Sequence, residues 1–444
     1  MAKEIDAKLL TDFSVNFDGD RANTVALNSV TKNGILASVQ TPDAIRNTTH
    51  NFSVRLPKTP VTNQKQSGRC WLFAAANVLR FEIIKKYNLK NFELSLVYLL
   101  FWDKLEKANY FLENILDTLD EPLEGRLVAY LLSSPEGDGG QWDMFVSLVE
   151  KYGVVPAEAM PENAVSSSTS ELRNILTEKL REYACILRNL HSQGHSLEDL
   201  RIEKEHFMEE IYRILCIGLG KPPKKFDLEF TDKDGKFTRD AGLTPHEFYE
   251  KYIDLNLEDY ISLINSPTED KPYYRSYSVR YLGNVVGGRP VHYVNLPVEK
   301  LKDAAVAQLK DGFPVWFGSD VGKHSERKLG LLDTNLYDRE SLFNVSFGMN
   351  KGQRLDYGQS LMTHAMVLQG VDIDEANLPI RWCVENSWGD DKGSEGYFSM
   401  GDNWFDEYVY QIVINKKYLE AEVLKAYESE PILLEPWDPM GSLA

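Results

Sequence analysis

The spacing of apolar positions changes character several times along the 444 residues. Residues 1 to about 60 form a mixed arm. The turn-rich PVTNQKQSGR then leads into CWLFAAANVLRFEIIKKYNL. Here Ala74, Ala75, Ala76, Leu79 and Ile83 fall at helical spacing, and Lys85 and Lys86 sit near the end, where positive charge suits the helix dipole. Cys70 therefore opens a buried helix. From about 157 to 290 the chain is charged and helix-prone, and stretches such as STSELRNILTEKLREYACILRNL carry apolar residues every three or four positions. Asp234-Gly235 marks a hairpin turn within it, and Thr244-Pro245 marks a helix cap followed by a first-turn proline.

After 290 a helix, PVEKLKDAAVAQLKD, ends at Gly312, and short apolar runs follow: PVWFG, HAMVLQGV, IRWCVEN, GYFSM and YVYQIVIN. Turn residues separate them at short intervals, which predicts an antiparallel sheet or partial barrel rather than parallel strands joined by helices. The architecture is α+β. Five segments result: an N-terminal arm (1–60), a helical lobe (61–156), a helical insertion (157–290), a β-rich lobe (291–430) and a C-terminal tail (431–444). Pro431, Pro436, Pro439 and Gly441 exclude a terminal helix and favour an extended tail.

Composition narrows the function. With 43% hydrophobic residues, the chain can bury two or more lobes. Its 49 Lys plus Arg against 67 Asp plus Glu leave a net charge of −18, which repels a phosphate backbone, so no nucleic-acid role is expected. No apolar run reaches the roughly 18 to 20 residues of a membrane span. The opening MAKEIDAKLL carries charges where a secretory signal would be apolar, so a cytoplasmic location and no membrane partner are expected. The four cysteines, Cys70, Cys185, Cys216 and Cys383, are dispersed without metal-ligand spacing, so neither a disulfide framework nor a metal site is expected, and no cofactor is implied.

Candidate chemistry begins in Gln64-Lys65-Gln66-Ser67-Gly68-Arg69-Cys70-Trp71, which sets a glutamine ahead of a cysteine poised between a turn and a helix. A free thiol has a pKa of ~8.5, and a helix N-terminus and a nearby imidazolium both lower it, which is what a nucleophile needs. His364 begins an apolar strand, and Glu385-Asn386-Ser387-Trp388-Gly389 lies on the next. A thiol needs a base, and the base needs a third group to orient its ring; Cys70, His364 and Asn386 supply those roles.

The GRCW around Cys70, the HAMVLQGV from His364 and the NSWG of 386–389 resemble, in this order, the three catalytic boxes of papain-like cysteine peptidases. The long separation between Cys70 and His364 exceeds the usual span of that family, and the helical insertion accounts for the excess. The arm, the SGRCW box, the insertion and the closing PWDPMGSLA together resemble the bleomycin hydrolase branch, and the resemblance covers the whole chain. It implies a fold of two lobes, one helical and one like an antiparallel β-barrel, with the helical insertion added. It implies peptide substrates, trimming from the N-terminus, and a homohexameric ring with active sites facing an inner channel.

Residue by residue, the resemblance gives Gln64 the part of side-chain oxyanion donor alongside the backbone N–H of Cys70. Trp388 becomes the aromatic that covers the His364–Asn386 hydrogen bond. Gly139 and Gly140, in Asp138-Gly139-Gly140-Gln141-Trp142-Asp143, resemble the segment that lets a substrate backbone approach; a plain glycine turn before a helix is the other reading. The tail would lie along the cleft, with the carboxylate of Ala444 meeting the substrate ammonium. Ser67 stands where secreted relatives carry a disulfide cysteine, in keeping with a reducing compartment. No long propeptide is expected. An endopeptidase or acyl transferase of the same fold, and a non-catalytic binding protein, are the alternatives; the last predicts loss of one of the four catalytic positions, and all four are present.

Overall fold

The computed structural model describes residues 3–253 and 255–442. The helix Cys70–Lys86 runs through the middle of the molecule and is buried on almost every side. A helix without a solvated face has no amphipathic stripe, which is why its alanines rather than a polar–apolar alternation mark it in the sequence. Most of its side chains join one hydrophobic cluster, with the helices Leu96–Asp117 and Trp142–Tyr152, whereas Phe81 joins a second, between the sheet and the helix Val298–Lys310. It thus ties the two apolar clusters together.

The sheet runs in the order Ile432–Leu434, Arg275–Val279, Tyr293–Asn295, Tyr260–Ile264, Val409–Asn415, Val315–Ser319, His364–Ile373, Pro379–Glu385, Tyr397–Gly401, Leu331–Leu332, Ser325–Glu326, and Val54–Arg55 pairs with His364–Ile373 off this path. Its centre is antiparallel, as the alternation of apolar runs and turns predicts. Three pairings are parallel: Ile432–Leu434 on Arg275–Val279, Tyr293–Asn295 on Tyr260–Ile264, and Leu331–Leu332 on Tyr397–Gly401. The sheet is therefore mixed, and the strands that make it so are only two to five residues long, too short for a periodicity argument.

Within 157–290 the helices Ser170–Ser192 and Leu197–Leu219 pack on each other and on Leu96–Asp117. Ser196 and Asp199 cap the second reciprocally. The strands Phe226–Thr231 and Phe237–Leu243 pair across the Asp234-Gly235 turn, with Gly235 at φ +85°, where glycine alone is unstrained. Thr244 caps the helix Pro245–Tyr252. Beyond it, Tyr260–Ile264 and Arg275–Val279 are strands of the main sheet, so helical character ends well before 290.

The arm is more regular than its composition suggests. It contains the helices Ala7–Asp18, Arg21–Asn33, Ile35–Val39 and Pro42–Asn47, the first two capped by Asp6 and Asp20. No residue of those first two helices is buried, although in the first Leu10, Phe13 and Phe17 fall three and four apart, on one face. Among the described residues no helix is long and apolar enough to cross a membrane.

Candidate active site

Cys70 is the first residue of its helix, and the turn before it is fixed from several sides. Arg69, fully buried, makes a two-pronged ion pair with Glu162 (2.8 and 2.9 Å) and donates to the Ser166 carbonyl (2.7 Å). The Gly68 N–H donates to Asp138 Oδ2 (3.2 Å), and a Cβ on Gly68 would stand 2.7 Å from Asp138 Cβ, so only glycine fits there. Burial pushes the Cys70 thiol up to about 11, against the backbone N–H groups of Ala365 and Trp71, which favour the thiolate.

His364 opens its strand opposite Ser319, and Asn386 follows the neighbouring strand directly. Nε2 of His364 lies 2.9 Å from Asn386 Oδ1, an oxygen that also accepts the Ser387 N–H at 2.8 Å. Since an amide oxygen only accepts, Nε2 carries the proton and Nδ1 is left for proton transfer. The Trp388 ring centroid is 4.9 Å from that of the imidazole. Burial pulls His364 down to about 4; the Asn386 bond opposes this and the charge of Arg327 adds to it. Burial thus favours a neutral thiol and a neutral imidazole.

Gln64 is bound to the segment that carries Asn386. Its N–H donates to the Ser387 carbonyl (2.8 Å), its Oε1 accepts the Ser387 hydroxyl (2.6 Å), and its Nε2 donates to the Ser67 carbonyl (2.6 Å). The side-chain amide has two N–H groups, so one remains beyond the bond to Ser67. Ser387 as the anchor of this amide escaped the sequence reading; its only signal was its place inside NSWG.

Gly140 has a packing reason to be glycine, since a Cβ would lie 2.5 Å from Trp71 Cε2. Lys107 Nζ donates to the Gly139 carbonyl (2.7 Å) and, like Lys104, to that of Gly137 (2.9 Å each). Beneath this segment Lys104 pairs with Glu136 and Asp138, and Lys107 with Asp103, each at 2.8 Å. These buried charges come from one helix, Leu96–Asp117, and the loop that precedes Trp142, about 30 residues apart in sequence. Ala444 lies outside the described residues. Upstream of it, Lys271 pairs with Asp438 (2.8 Å), Tyr293 donates to the Met440 carbonyl (3.1 Å), Gln141 donates to the Ser442 carbonyl (2.7 Å), and the Ser442 hydroxyl donates to Met362 (2.6 Å). Ser442 therefore bridges the residue after Gly140 and the one two before His364. No group of three or more His, Cys, Asp or Glu converges as a metal site would among the described residues.

A cysteine at a helix start, together with a histidine held by an asparagine from the adjoining strand, defines a cysteine peptidase of the papain-like class. The chain belongs to the Peptidase C1-like family, whose model matches residues 4–441. It is 49% identical over 445 residues to aminopeptidase C of Streptococcus thermophilus, covering 100% of this chain and 99% of that one. It is 47% identical over 404 residues to human bleomycin hydrolase, covering 89% of each. The crystal structure of PepW from Lactobacillus rhamnosis HN001 is similar throughout, with a TM-score of 0.98, 50% identity and complete coverage of both chains.

Proposed function

We propose that this cysteine-type aminopeptidase removes N-terminal residues from peptides with Cys70 as nucleophile, His364 as acid and base, Asn386 as its orienting partner and Gln64 as oxyanion donor. The Cys70 thiolate attacks the scissile carbonyl, and the oxyanion accepts from the Cys70 backbone N–H and the second N–H of Gln64. His364 Nδ1 gives its proton to the leaving amine, then takes one from the water that hydrolyses the thioester. Trp388 shields the His364–Asn386 bond from water, and Gly139 and Gly140 let the substrate backbone approach. The two apolar clusters correspond to two lobes that meet at Cys70 and His364.

The observation that carries the exopeptidase reading is the anchoring of Ser442 to Gln141 and Met362. A tail held there leaves room for one substrate residue on the acyl side, and the Ala444 carboxylate would pair with its ammonium. Deleting Met440–Ala444 is expected to weaken single-residue trimming and to admit internal cleavage, including of N-acetylated peptides. Identical products from truncated and intact enzyme, identified by mass, would refute the reading. The apolar side chains exposed on the arm, among them Leu10, Phe13, Val15 and Leu36, support assembly into a homohexamer. All four cysteines are free, which suits the reducing cytoplasm.

A further inference from the structure

On the exopeptidase reading, the tail also constrains the other side of the cleft. With Ser442 fixed between Gln141 and Met362, a substrate has its single acyl residue on that side, and its remainder must leave in the opposite direction. That direction is set by His364, which protonates the leaving amine, and by Trp388, whose ring stands 4.9 Å from the imidazole. On the Trp388 ring in turn lies the guanidinium of Arg327, 4.8 Å from its centroid.

Arg327 is exposed, on the short connection between the strands Ser325–Glu326 and Leu331–Leu332, and has no carboxylate partner among the described residues. Glu326, the acid next to it in sequence, accepts the Leu329 N–H instead. A cation without a partner is unexpected beside a catalytic histidine in a chain of net charge −18, all the more because its charge disfavours the imidazolium. A guanidinium placed over an indole face keeps N–H groups free, and a guanidinium can grip a carboxylate with two hydrogen bonds.

We propose that Arg327 receives the C-terminal carboxylate of short peptides, so that dipeptides and tripeptides are the favoured substrates of the enzyme. Length decides which peptides qualify. The guanidinium is no farther from the imidazole than the two ring separations together, and an extended chain advances roughly 3.3 to 3.6 Å per residue. A carboxylate one or two residues beyond the scissile bond lies within that reach, whereas that of a much longer peptide passes beyond it. The ammonium and the carboxylate of one short peptide would then be held at opposite ends of the cleft.

The test compares a tripeptide as free acid and as C-terminal amide, with an octapeptide pair as the length control. The intact enzyme should prefer the free tripeptide by about threefold to fivefold in kcat/KM, the worth of an exposed ion pair, mainly through KM. The preference should shrink in ~1 M salt and be absent for the octapeptides. Arg327→Gln should bring the ratio to near one, and Arg327→Lys should keep part of it. N-terminal cleavage of both tripeptides with the same ratio in Arg327→Gln as in the intact enzyme would overturn the inference alone. Cleavage of the octapeptides at internal bonds only would refute the exopeptidase reading and the inference with it.

Discussion

Replacing Arg80 by methionine tests how the helix that begins at Cys70 is joined to the strand that leads into Asn386. Arg80 lies on the helix Cys70–Lys86 and Glu385 immediately precedes Asn386; their side chains are 2% and 0% exposed and 2.8 Å apart. Arg80 also donates to the Pro60 carbonyl at 2.5 Å, and Gln369 donates to Glu385 at 2.5 Å. Burial already raises the Glu385 pKa, with Arg80 and Gln369 opposing the rise. Without Arg80 the rise is larger. A carboxyl with a raised folded-state pKa costs nothing below its unfolded value of ~4.3, where both states are protonated, and destabilises progressively as pH climbs above it.

At pH 8, Arg80→Met should therefore lose about 3 to 5 kcal/mol, the cost of an unpaired buried charge. At pH 5 only about 1 to 3 kcal/mol should be lost, chiefly from the unsatisfied Pro60 carbonyl. Arg80→Met combined with Glu385→Gln removes the charge altogether and should regain most of the difference at pH 8. Urea midpoints of the three proteins at both pH values read this directly. Equal losses at pH 5 and pH 8, or a double variant no more stable than the single one, would show that the pair does not act as a buried charge pair.

Cys70→Ser should keep fold and assembly, as read by circular dichroism and native mass, while peptidase activity falls by several orders of magnitude. Retained activity, or failure of an alkylating reagent to label Cys70, would exclude it as nucleophile. Gln64→Ala should lower kcat by roughly 10² to 10³ with little change in KM. Ser387→Ala, which frees the Gln64 amide without removing it, should cost less and add little in the Gln64→Ala background; an effect on KM alone for either variant would point to ground-state binding instead.

The residues proposed to do the chemistry were legible because their identity is dictated by reaction chemistry and each sits in a short box: Cys70 in GRCW, His364 at the head of HAMVLQGV, Asn386 in NSWG. The central strands were legible for a different reason, since runs of five or more residues buried on both faces leave an unbroken apolar signal, and the helix Val298–Lys310 showed through the helical spacing of its apolar residues. What stayed hidden depends on partners distant in sequence. Tyr293–Asn295 is a strand only because Tyr260–Ile264 and Arg275–Val279 lie on either side of it. Gly140 resembled a substrate-contact glycine in sequence, and the Trp71 ring against it supplies a second reason for the same residue that no local pattern contains.

The buried ionic groups follow the same logic at higher energetic stakes. Lys104, Lys107, Glu136 and Asp138 look like ordinary surface charges in a sequence with 26% charged residues, because nothing local announces that they converge. Their convergence has a direct structural consequence. Asp138 holds the Gly68 N–H and its own carbonyl accepts from Trp71 Nε1 at 2.7 Å, so the loop before Cys70 and the segment of Gly139 and Gly140 are fixed to each other through one residue. Lys104, fully buried, holds Asp138 ionised, and its carboxyl is driven well below the usual carboxylate range. A salt bridge of this kind contributes little net stability compared with a well-packed apolar equivalent. Its value is positional: an apolar pair could fill the same volume but could not accept the Gly68 N–H, and that N–H belongs to the turn that aims Cys70.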